Sequence, residues 1–317
     1  TAPLHSLFSR RQLFKNTSTA LAASAVFFPG RDLMANPVLD FKDPYDNLYA
    51  FAKLWGSYDD KPVYGGFDGI QYARIGTNRL IPLFGYVGFG STQSRINDDK
   101  TVNIRGCEGG YFTDLKTGKI IDHWNNPWTG ETVDIFPFVS NKMRAHLTAE
   151  MPKFAMGNIK IDEATIMNEA DTLNSDGPIP FILPWKKIGN QYLLSWDYCH
   201  EYTNPVSKDK WPKAHTSEII NPTEHFSFYT PFDEMNDRSV LSASFHAGFM
   251  RTAPWWPWMK MGQSDIDGCM FGRMHSYQIT GTLDDIPIEV LKRVEKDHPD
   301  YLEKLTGWGN TIPRGTW

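Results

Sequence analysis

The sequence predicts a mainly β protein, built as a large single antiparallel β-barrel or two-sheet sandwich with short helices at both ends. From about residue 60 to residue 280, short apolar or aromatic runs are separated by glycines and tight-turn pairs, which is typical of strands and hairpins. Long helices do not alternate with these strands, which argues against a doubly wound α/β fold. Many short strands in a chain of 317 residues favour a wide barrel or a sandwich.

Helices are predicted at the two ends of this strand-rich region. The stretch "DPYDNLYAFAKLW", Asp43 to Trp55, has apolar residues at helical spacing, with Asp43 as a capping residue and Pro44 in the first turn. A C-terminal helical segment is expected over about 285–306, with a break at Pro299.

The strands between these helices are marked by turn pairs and by alternation. "LKTGKII" and "NPWTGETVDIF" place Thr-Gly pairs between apolar runs, as hairpins do. In "SVLSASFHAGFMR" the alternation predicts that His246 lies opposite an apolar face that ends in Arg251. The residues of that apolar face are Leu241, Ala243, Phe245, Ala247 and Phe249.

The amino terminus looks like an export signal. "SRRQLFK", Ser9 to Lys15, precedes a modest apolar stretch and matches a twin-arginine motif. We therefore expect residues 1–35 to be a signal segment that engages the twin-arginine export machinery, and residues 36–317 to form one β-rich domain. The expected location is the periplasm or the exterior, without stable membrane insertion after processing, because no later window is long and apolar enough to span a bilayer.

Composition and motifs narrow the function classes. The net charge of −5 and the lack of a basic cluster argue against nucleic-acid binding. The three cysteines have no Cys-x-x-Cys spacing, which excludes zinc-knuckle and thioredoxin-like motifs. No Gly-x-Ser-x-Gly elbow, Walker loop or His-Glu-x-x-His motif occurs, so the common hydrolase, kinase and zinc-protease classes lose support.

A ladder of polar side chains is the first candidate site. If "GCMFGRMHSYQIT" is a strand, Phe271, Arg273, His275 and Tyr277 share one face. Inside an aromatic cavity, Arg273 would stabilise an anionic or enolate-like species while His275 or Tyr277 moves a proton. The competing interpretation is an outer sheet face of mixed residues. Two further catalytic candidates, from neighbouring predicted strands, are Asp197 and His246.

The run "APWWPWMKMG", residues 253–262, is the second candidate site. Two prolines within four residues exclude a regular helix and a central strand. We expect an irregular loop that caps one end of the β domain and forms the wall of a ligand pocket. The predicted ligand-binding residues are Trp255, Trp256, Trp258, Met259, Met261, Arg251 and Phe271.

Metal binding receives weaker support, and no cofactor or metal ligand is predicted. The spacing of His215, Glu218, Glu224 and His225 matches no established metal motif. Methionines near His246 and His275 allow a copper site, although methionine more often fills irregular cores. These methionines are Met250, Met259, Met261, Met270 and Met274.

Four stretches together resemble a bacterial family known only as a domain of unknown function, family number 1838. They are "YFTDLKTGKIIDHWNNPWTGETVDI", "SWDYCHEYTNPV", "KDKWP" and "RTAPWWPWMKMGQ". The family pairs an Asn-Pro-x-Thr-Gly-Glu turn, here Asn126 to Glu131, with a late Trp- and Met-rich run, here Arg251 to Gly262. Phe249 stands where the family has Trp. The resemblance implies a shared fold and assigns no reaction and no catalytic residue.

These observations favour an exported enzyme over a binding protein. The expected chemistry is non-hydrolytic acid–base catalysis, of the lyase, hydratase or isomerase type, on a small apolar substrate that is aromatic or isoprenoid-like. The first alternative is a periplasmic protein that binds a hydrophobic ligand without chemistry. The second alternative is a Met/His copper-binding protein.

Overall fold

A computed structural model describes residues 38–59, 61–76, 79–151, 159–161, 164–166, 179–199, 201–279, 283 and 286–301. The predicted signal segment, residues 1–35, and the predicted helical residues after 301 lie outside this part of the chain. The helices are α1 (Pro44–Trp55), α2 (Phe232–Asn236) and α3 (Ile288–Asp297), and single 3-10 turns follow at Pro257–Met259 and Pro299–Tyr301.

The strands of the first half of the chain are β1 (Val63–Ile75), β2 (Arg79–Ile96), β3 (Val102–Thr113), β4 (His123–Asn125), β5 (Thr132–Asp134), β6 (Phe138–Leu147), β7 (Ile159–Ile161) and β8 (Ala164–Ile166). Those of the second half are β9 (Trp185–Ile188), β10 (Gln191–Cys199), β11 (Tyr202–Thr203), β12 (Ile219–Ile220), β13 (Thr223–Pro231), β14 (His246–Ala253) and β15 (Gly268–Ile279).

Nine of these strands form one antiparallel sheet in the order β6-β3-β2-β1-β15-β14-β13-β10-β9. The first and last long strands, β1 and β15, pair in the middle of the sheet, from Tyr64 opposite Ile279 to Ile75 opposite Gly268. The remaining strands form three two-stranded ribbons, β4-β5, β7-β8 and β11-β12. The two ends of the chain's β region therefore meet at the centre of the fold.

The two faces of the sheet are covered by different helices. We call the face on which α1 packs the inner face. There, Leu48, Phe51 and Leu54 of α1 join a buried cluster with Leu194 and Phe228 of the sheet. The opposite, outer face carries α3, whose Val290 and Val294 pack against residues such as Phe89 and Tyr111. Since side chains alternate along a strand, the register assigns each sheet residue to one face.

The sheet is curled around its inner face. The strands β3 and β13 lie five positions apart in the sheet order, a separation of about 24 Å in a flat sheet. Nevertheless, the carboxyl group of Glu108 on β3 is influenced by that of Glu224 on β13. Trp55 of α1 also contacts both flanks, because its carbonyl accepts a hydrogen bond from Thr92 on β2 and its ring packs on Phe228 of β13. The inner face is therefore concave.

Helix α1 is fixed in this concavity by a buried ammonium group. Asp43 caps its N-terminus, accepting a hydrogen bond from the backbone N–H of Tyr45. The Lys53 side chain is fully buried. Its Nζ donates to the backbone carbonyl oxygens of Glu234, Met235 and Asp237, where α2 ends. Burial lowers the pKa of Lys53 to about 8. This contact joins α1 to α2 across the inner face.

The prediction of a mainly β fold with short helices at both ends is confirmed, and the predicted N-terminal helix matches α1. The strand-rich region forms an open, curled sheet and not a closed barrel. The segment before β14 is irregular, so the predicted strand from Ser239 begins only at His246. Among the described residues, no helix is long and apolar enough to cross a membrane.

Candidate functional site

A cluster of ionisable side chains lies on the inner face between α1 and residues 253–262, which we call the tryptophan-rich run. It contains Glu108 of β3, Tyr86 of β2, Glu224 of β13 and Arg251 of β14. The pKa of Glu108 responds to Glu224, and the pKa of Tyr86 responds to both Glu108 and Arg251. These four groups are therefore close enough to interact electrostatically on the inner face, and we call them the inner cluster.

Glycines on the inner face make room for the rings beside this cluster. A Cβ atom at Gly110 would lie 2.3 Å from the Tyr86 hydroxyl oxygen, so the phenol ring crosses β3 where that strand has no side chain. Phe67 lies over Gly88 in the same way and stacks on Tyr86 with ring centroids 5.5 Å apart. The glycine-rich sequences of β2 and β3 thus allow Tyr86 to reach the neighbourhood of Glu108.

Glu108 is the titratable group best suited to proton transfer. Burial raises the pKa of Glu108 to about 7, and the Glu224 carboxylate adds to this rise. Its carboxyl group makes no hydrogen bond to any residue that the structure describes. Part of the side chain remains accessible. A carboxyl group with a pKa near 7 can both accept and donate a proton at neutral pH.

Tyr86 remains a proton donor at neutral pH. Burial and the Glu108 carboxylate raise the pKa of Tyr86 well above its ordinary value, and Arg251 opposes this rise only in part. Within the described part of the chain, the Tyr86 hydroxyl has no hydrogen-bond partner. A protonated phenol in such a position can donate a hydrogen bond to a ligand oxygen.

Arg251 and Glu224 form an ion pair in the wall of the site. The Arg251 Nε donates to Glu224 Oε1 at 2.8 Å, and the side chains are 26% and 25% exposed. The two terminal nitrogens of Arg251 make no hydrogen bond to a described residue, so they are available to a ligand oxygen. Tyr198 lies next to Glu224 on the inner face, and burial together with Glu224 raises the pKa of Tyr198 to about 12.

The walls around the inner cluster are apolar. The register places Phe249 opposite both Phe226 and Met274 on the inner face. The rings of Phe226 and Phe249 are 4.5 Å apart. Trp196 continues this wall beside Phe226. A planar apolar molecule would be surrounded by rings while its polar atoms reach the inner cluster.

The tryptophan-rich run packs at one end of the inner face. Trp255, Trp258, Met259 and Met261 are buried, and a 3-10 turn replaces regular structure at Pro257–Met259. The more accessible Trp256 packs on Phe112, which in turn contacts the Tyr86 ring at 5.0 Å. The run is therefore directly connected to the wall of the inner cluster.

The Asn126–Glu131 turn anchors this run. The Asn126 side chain is 1% exposed, and its Nδ2 donates to the Met259 carbonyl oxygen at 2.9 Å. Its Oδ1 accepts from the backbone N–H groups of Trp128 and Thr129. Trp128 also packs on Trp255, with ring centroids 5.4 Å apart. The two sequence motifs thus form one structural unit at the end of the site.

The polar ladder of β15 lies on the other face. Phe271, Arg273, His275 and Tyr277 share one side, as the alternation predicts, but that side is the outer face, and Arg273 and His275 are exposed. The structure therefore does not enclose Arg273 and His275 in an aromatic cavity. Phe271 lies beside Tyr72 on the outer face, away from the tryptophan-rich run.

The remaining catalytic candidates are also on the outer face. His246 is exposed and lies opposite Tyr277 in the β14-β15 pair. Asp197 is exposed and its Oδ1 lies 2.8 Å from Nδ1 of His225. Among the predicted site residues, Arg251 and the Trp and Met side chains of the tryptophan-rich run lie on the inner face. The other predicted site residues lie on the outer face.

The outer face also holds every histidine of the nine-stranded sheet. These are His146, His225, His246 and His275. The residues suggested as metal ligands are divided in the same way, because Glu224 faces inward to Arg251 while His225 faces outward. Within the described residues, no group of three or more His, Cys, Asp or Glu side chains could hold a metal ion.

Sequence reasoning missed Glu108, Tyr86 and the pairing role of Glu224. The available signal was the isolated carboxylate in "RGCEGGYF", since a charged residue in the middle of a glycine-rich, largely apolar strand is unusual. The sequence pattern of Glu224, the residue that influences Glu108 from β13, indicates only a weak metal-ligand candidate.

Comparison with known proteins places the chain in a family. The family described as "Protein of unknown function (DUF1838)" matches residues 60–311. The chain belongs to this family. The matched residues include the Asn126–Glu131 turn and the run from Arg251 to Gly262, which the structure joins at the end of the inner face.

Other comparisons add no functional information. No functionally curated protein matches the chain at a significant level. Two solved structures are weakly similar. MucB in complex with MucA(peri) has 10% identity and a TM-score of 0.13. The Pseudomonas aeruginosa MucA/MucB complex has 10% identity and a TM-score of 0.12. In both cases 80% of this chain and 96% of the other are covered, and scores this low carry no structural argument.

Proposed function

We propose that this protein is an enzyme that catalyses a non-hydrolytic acid–base reaction, of the lyase, hydratase or isomerase type, on a small apolar molecule that carries a carbonyl group. The observation that carries the proposal is the Glu108 carboxyl group, which has a pKa near 7, no hydrogen-bond partner among the described residues, and the Tyr86 phenol and Glu224 carboxylate close enough to interact with it. Such a group takes a proton from carbon when the resulting negative charge is stabilised nearby.

Each member of the inner cluster has a part in this reaction. Glu108 removes a proton from the carbon next to the carbonyl group and later returns it to the same or to a neighbouring atom. The Tyr86 hydroxyl and the free nitrogens of Arg251 donate hydrogen bonds to the carbonyl oxygen, where negative charge develops. Glu224 holds the Arg251 guanidinium group in place through its 2.8 Å hydrogen bond.

The proposal retains the predicted reaction class but moves its residues. Arg273, His275, Tyr277, Asp197 and His246 are replaced as catalytic candidates, because their side chains lie on the outer face. We also propose, on the basis of the sequence motif alone, that the protein is exported through the twin-arginine pathway and works in the periplasm or outside the cell.

Hydrogen exchange tests the acid–base role without knowledge of the natural substrate. Purified protein is incubated in D2O with 2-indanone, an apolar aromatic ketone, and deuterium incorporation beside the carbonyl group is followed by NMR. The wild type is expected to accelerate exchange, and Glu108→Gln is expected to reduce the acceleration by about 10²–10⁴-fold. Equal acceleration by the wild type and Glu108→Gln would remove Glu108 as the base.

A non-catalytic carrier of a hydrophobic ligand is the second candidate. The observation in its favour is the continuous apolar wall of the inner face, which binds a ligand whether or not chemistry follows. The two candidates differ in the Glu108→Gln variant. In a carrier, this variant binds 2-indanone as the wild type does, and neither protein accelerates exchange.

A further inference from the structure

The inner face extends beyond the inner cluster towards the end of β15. Four residues form one row across adjacent strands, since Glu108 of β3 lies opposite Gly90, Gly90 opposite Gly65, and Gly65 opposite Gln278 of β15. At a strand spacing of about 4.8 Å, this row is roughly 14 Å long. Its two middle positions have no side chain, so we call the strip between Glu108 and Gln278 the glycine lane.

The space above Gly65 is open. A Cβ atom built there has only the Tyr277 carbonyl oxygen at 3.5 Å and the Phe245 ring at 3.9 Å within 4 Å. On the same face, Gly69, Gly88 and Gly110 differ, because Met274, Phe67 and Tyr86 already occupy the space above them. Gly65 is thus not explained by the packing of a neighbouring side chain, whereas a Cβ atom at Gly90 would lie 3.3 Å from Cβ of Glu108.

A groove lies at the far end of the lane. It has a volume of about 930 Å³, and its lining includes Phe245, Tyr277, Ser242, Gln278, Glu234 and His246. Gln278 donates from Nε2 to the Ser242 hydroxyl at 2.8 Å. The groove is therefore lined by hydrogen-bonding groups beside two aromatic rings, and the carboxylate in its wall, Glu234, already accepts two hydrogen bonds from Ser244.

Two buried polar atoms at this end have no hydrogen-bond partner. They are Oε1 of Gln278, an acceptor, and Nε1 of Trp55, a donor. Trp55 packs on Phe228, Phe228 packs on Phe245, and the Gln278 backbone N–H donates to the Phe245 carbonyl oxygen, so both atoms belong to the same part of the inner face. An unpaired buried polar atom destabilises the fold, and a ligand that satisfies it gains affinity.

We propose that the glycine lane and the groove bind the tail of the ligand, and that this tail is uncharged and hydroxylated, as a sugar is. A hydroxyl group both donates and accepts, so it suits the free acceptor of Gln278 and the free donor of Trp55. The glycines provide room for the connection to the apolar part of the ligand. This inference rests on the proposed function only in that the inner cluster holds the apolar part.

Two probes that differ only in the tail test the inference. Binding of 2-naphthol and of 2-naphthyl β-D-glucoside is measured by isothermal titration calorimetry. The wild type is expected to bind the glucoside about tenfold more tightly, which corresponds to one or two additional hydrogen bonds. Gly65→Val fills the lane and should reduce this preference to less than about twofold while 2-naphthol binding is retained.

Gly248→Val is the matched control for this substitution. Gly248 lies on β14, has nothing within 4 Å of a built Cβ atom, and faces outward opposite His275, so its valine variant should retain the full preference. Gln278→Leu is a second variant that removes the acceptor without filling the lane, and it too should lose the preference. It keeps the inference testable if Gly65→Val does not fold.

Three results would overturn the inference. These are an equal affinity of the wild type for the two probes, a preference that survives in both Gly65→Val and Gln278→Leu, and a failure of both probes to bind the wild type. The proposed function fails separately, when exchange into 2-indanone is unaffected by Glu108→Gln. A retained glucoside preference together with that result supports the lane in a protein that is a carrier.

Discussion

The two faces of β15 carry opposite kinds of residues, and the less polar face borders the candidate site. The outer face presents Arg273 and His275 to solvent, whereas the inner face presents Met274, Ser276 and Gln278 to the concavity. The ionisable groups of the inner face come from other strands, one or two from each. A site can therefore be assembled from isolated residues on several strands, and a ladder of polar residues on one strand can be a solvent-exposed surface.

The largest expected effect comes from comparing two arginines on neighbouring strands. Arg251 faces inward and Arg273 faces outward, and the two belong to the same β14-β15 pair. Arg251→Met should reduce kcat/KM for the exchange reaction by about 10²–10³-fold, because the developing negative charge loses its donors. Arg273→Met should change it less than about twofold. Arg251→Lys keeps the charge but loses the planar guanidinium group, so its kcat/KM should lie between those of Arg251→Met and Arg273→Met.

If Arg273→Met reduced kcat/KM more than Arg251→Met did, the site would have to be placed on the outer face. Far-UV and near-UV circular dichroism of each variant controls for misfolding, because Arg251→Met leaves Glu224 without its partner.

A second comparison sets the helix of the inner face against that of the outer face. Lys53→Met on α1 should lower the free energy of unfolding by about 2–4 kcal/mol, because it leaves one buried and two part-buried carbonyl oxygens without their donor. Lys292→Met on α3 removes an exposed lysine paired only with Glu289 and should change it by less than about 0.5 kcal/mol. Urea unfolding of both variants measures the difference, and equal losses would show that Lys53 does not fix α1.

The third comparison concerns pH. The pKa of Glu108 is about 7 in the folded protein and lies near its ordinary value of 4.5 when unfolded. The stability contributed by the protonated group is therefore fully present below pH 4.5 and is lost as the pH rises through 7. Glu108→Gln should then be more stable than the wild type at alkaline pH, by on the order of 2–3 kcal/mol, and equally stable at low pH.

Asp68→Asn is the control, because it removes an exposed carboxylate from the outer face. The free energy of unfolding of Asp68→Asn should depend on pH in the same way as that of the wild type. If Glu108→Gln also follows the wild type at every pH, the Glu108 carboxyl group is solvated and unsuited to the proposed role.

The smallest expected effect separates two adjacent asparagines. Asn126→Ala removes the bonds that hold the tryptophan-rich run and should cost about 1–3 kcal/mol of stability, with a change in tryptophan fluorescence. Asn125→Ala affects an exposed side chain bonded to Thr132 and should cost less than about 0.5 kcal/mol. Indistinguishable thermal unfolding curves for the two variants would contradict the anchoring role of Asn126.

Much of the local structure followed from the sequence. The cap at Asp43, the alternation of β14 from Ala247 to Arg251 and the burial of the tryptophan-rich run were all predicted from spacing and residue type. These features depend on neighbours within a few residues, so a sequence pattern is sufficient to identify them.

The location of the site did not follow, because it depends on which face of the sheet is concave. Both faces of β15 contain apolar residues, since α3 covers Tyr277 and Ile279 on the outer face just as α1 covers the inner face. The pairing of β1 with β15 and the interaction of Glu108 with Glu224 join residues far apart in the sequence, so no local pattern predicts them. The sequence therefore predicted which residues of β14 and β15 share a face and could not say which face is concave.

The pairing of β1 with β15 also has a consequence for the order of folding. The three strands β1, β2 and β3 can form a meander early, but β1 then remains an open edge until the last strand of the sheet has been synthesised. Contacts of such high sequence separation fold slowly, and an unpaired edge strand invites aggregation. A chain that ends before Gly268 would leave two separate half-sheets, one ending at β1 and the other at β14. The pairing of β15 with both strands joins these halves into one cooperative sheet.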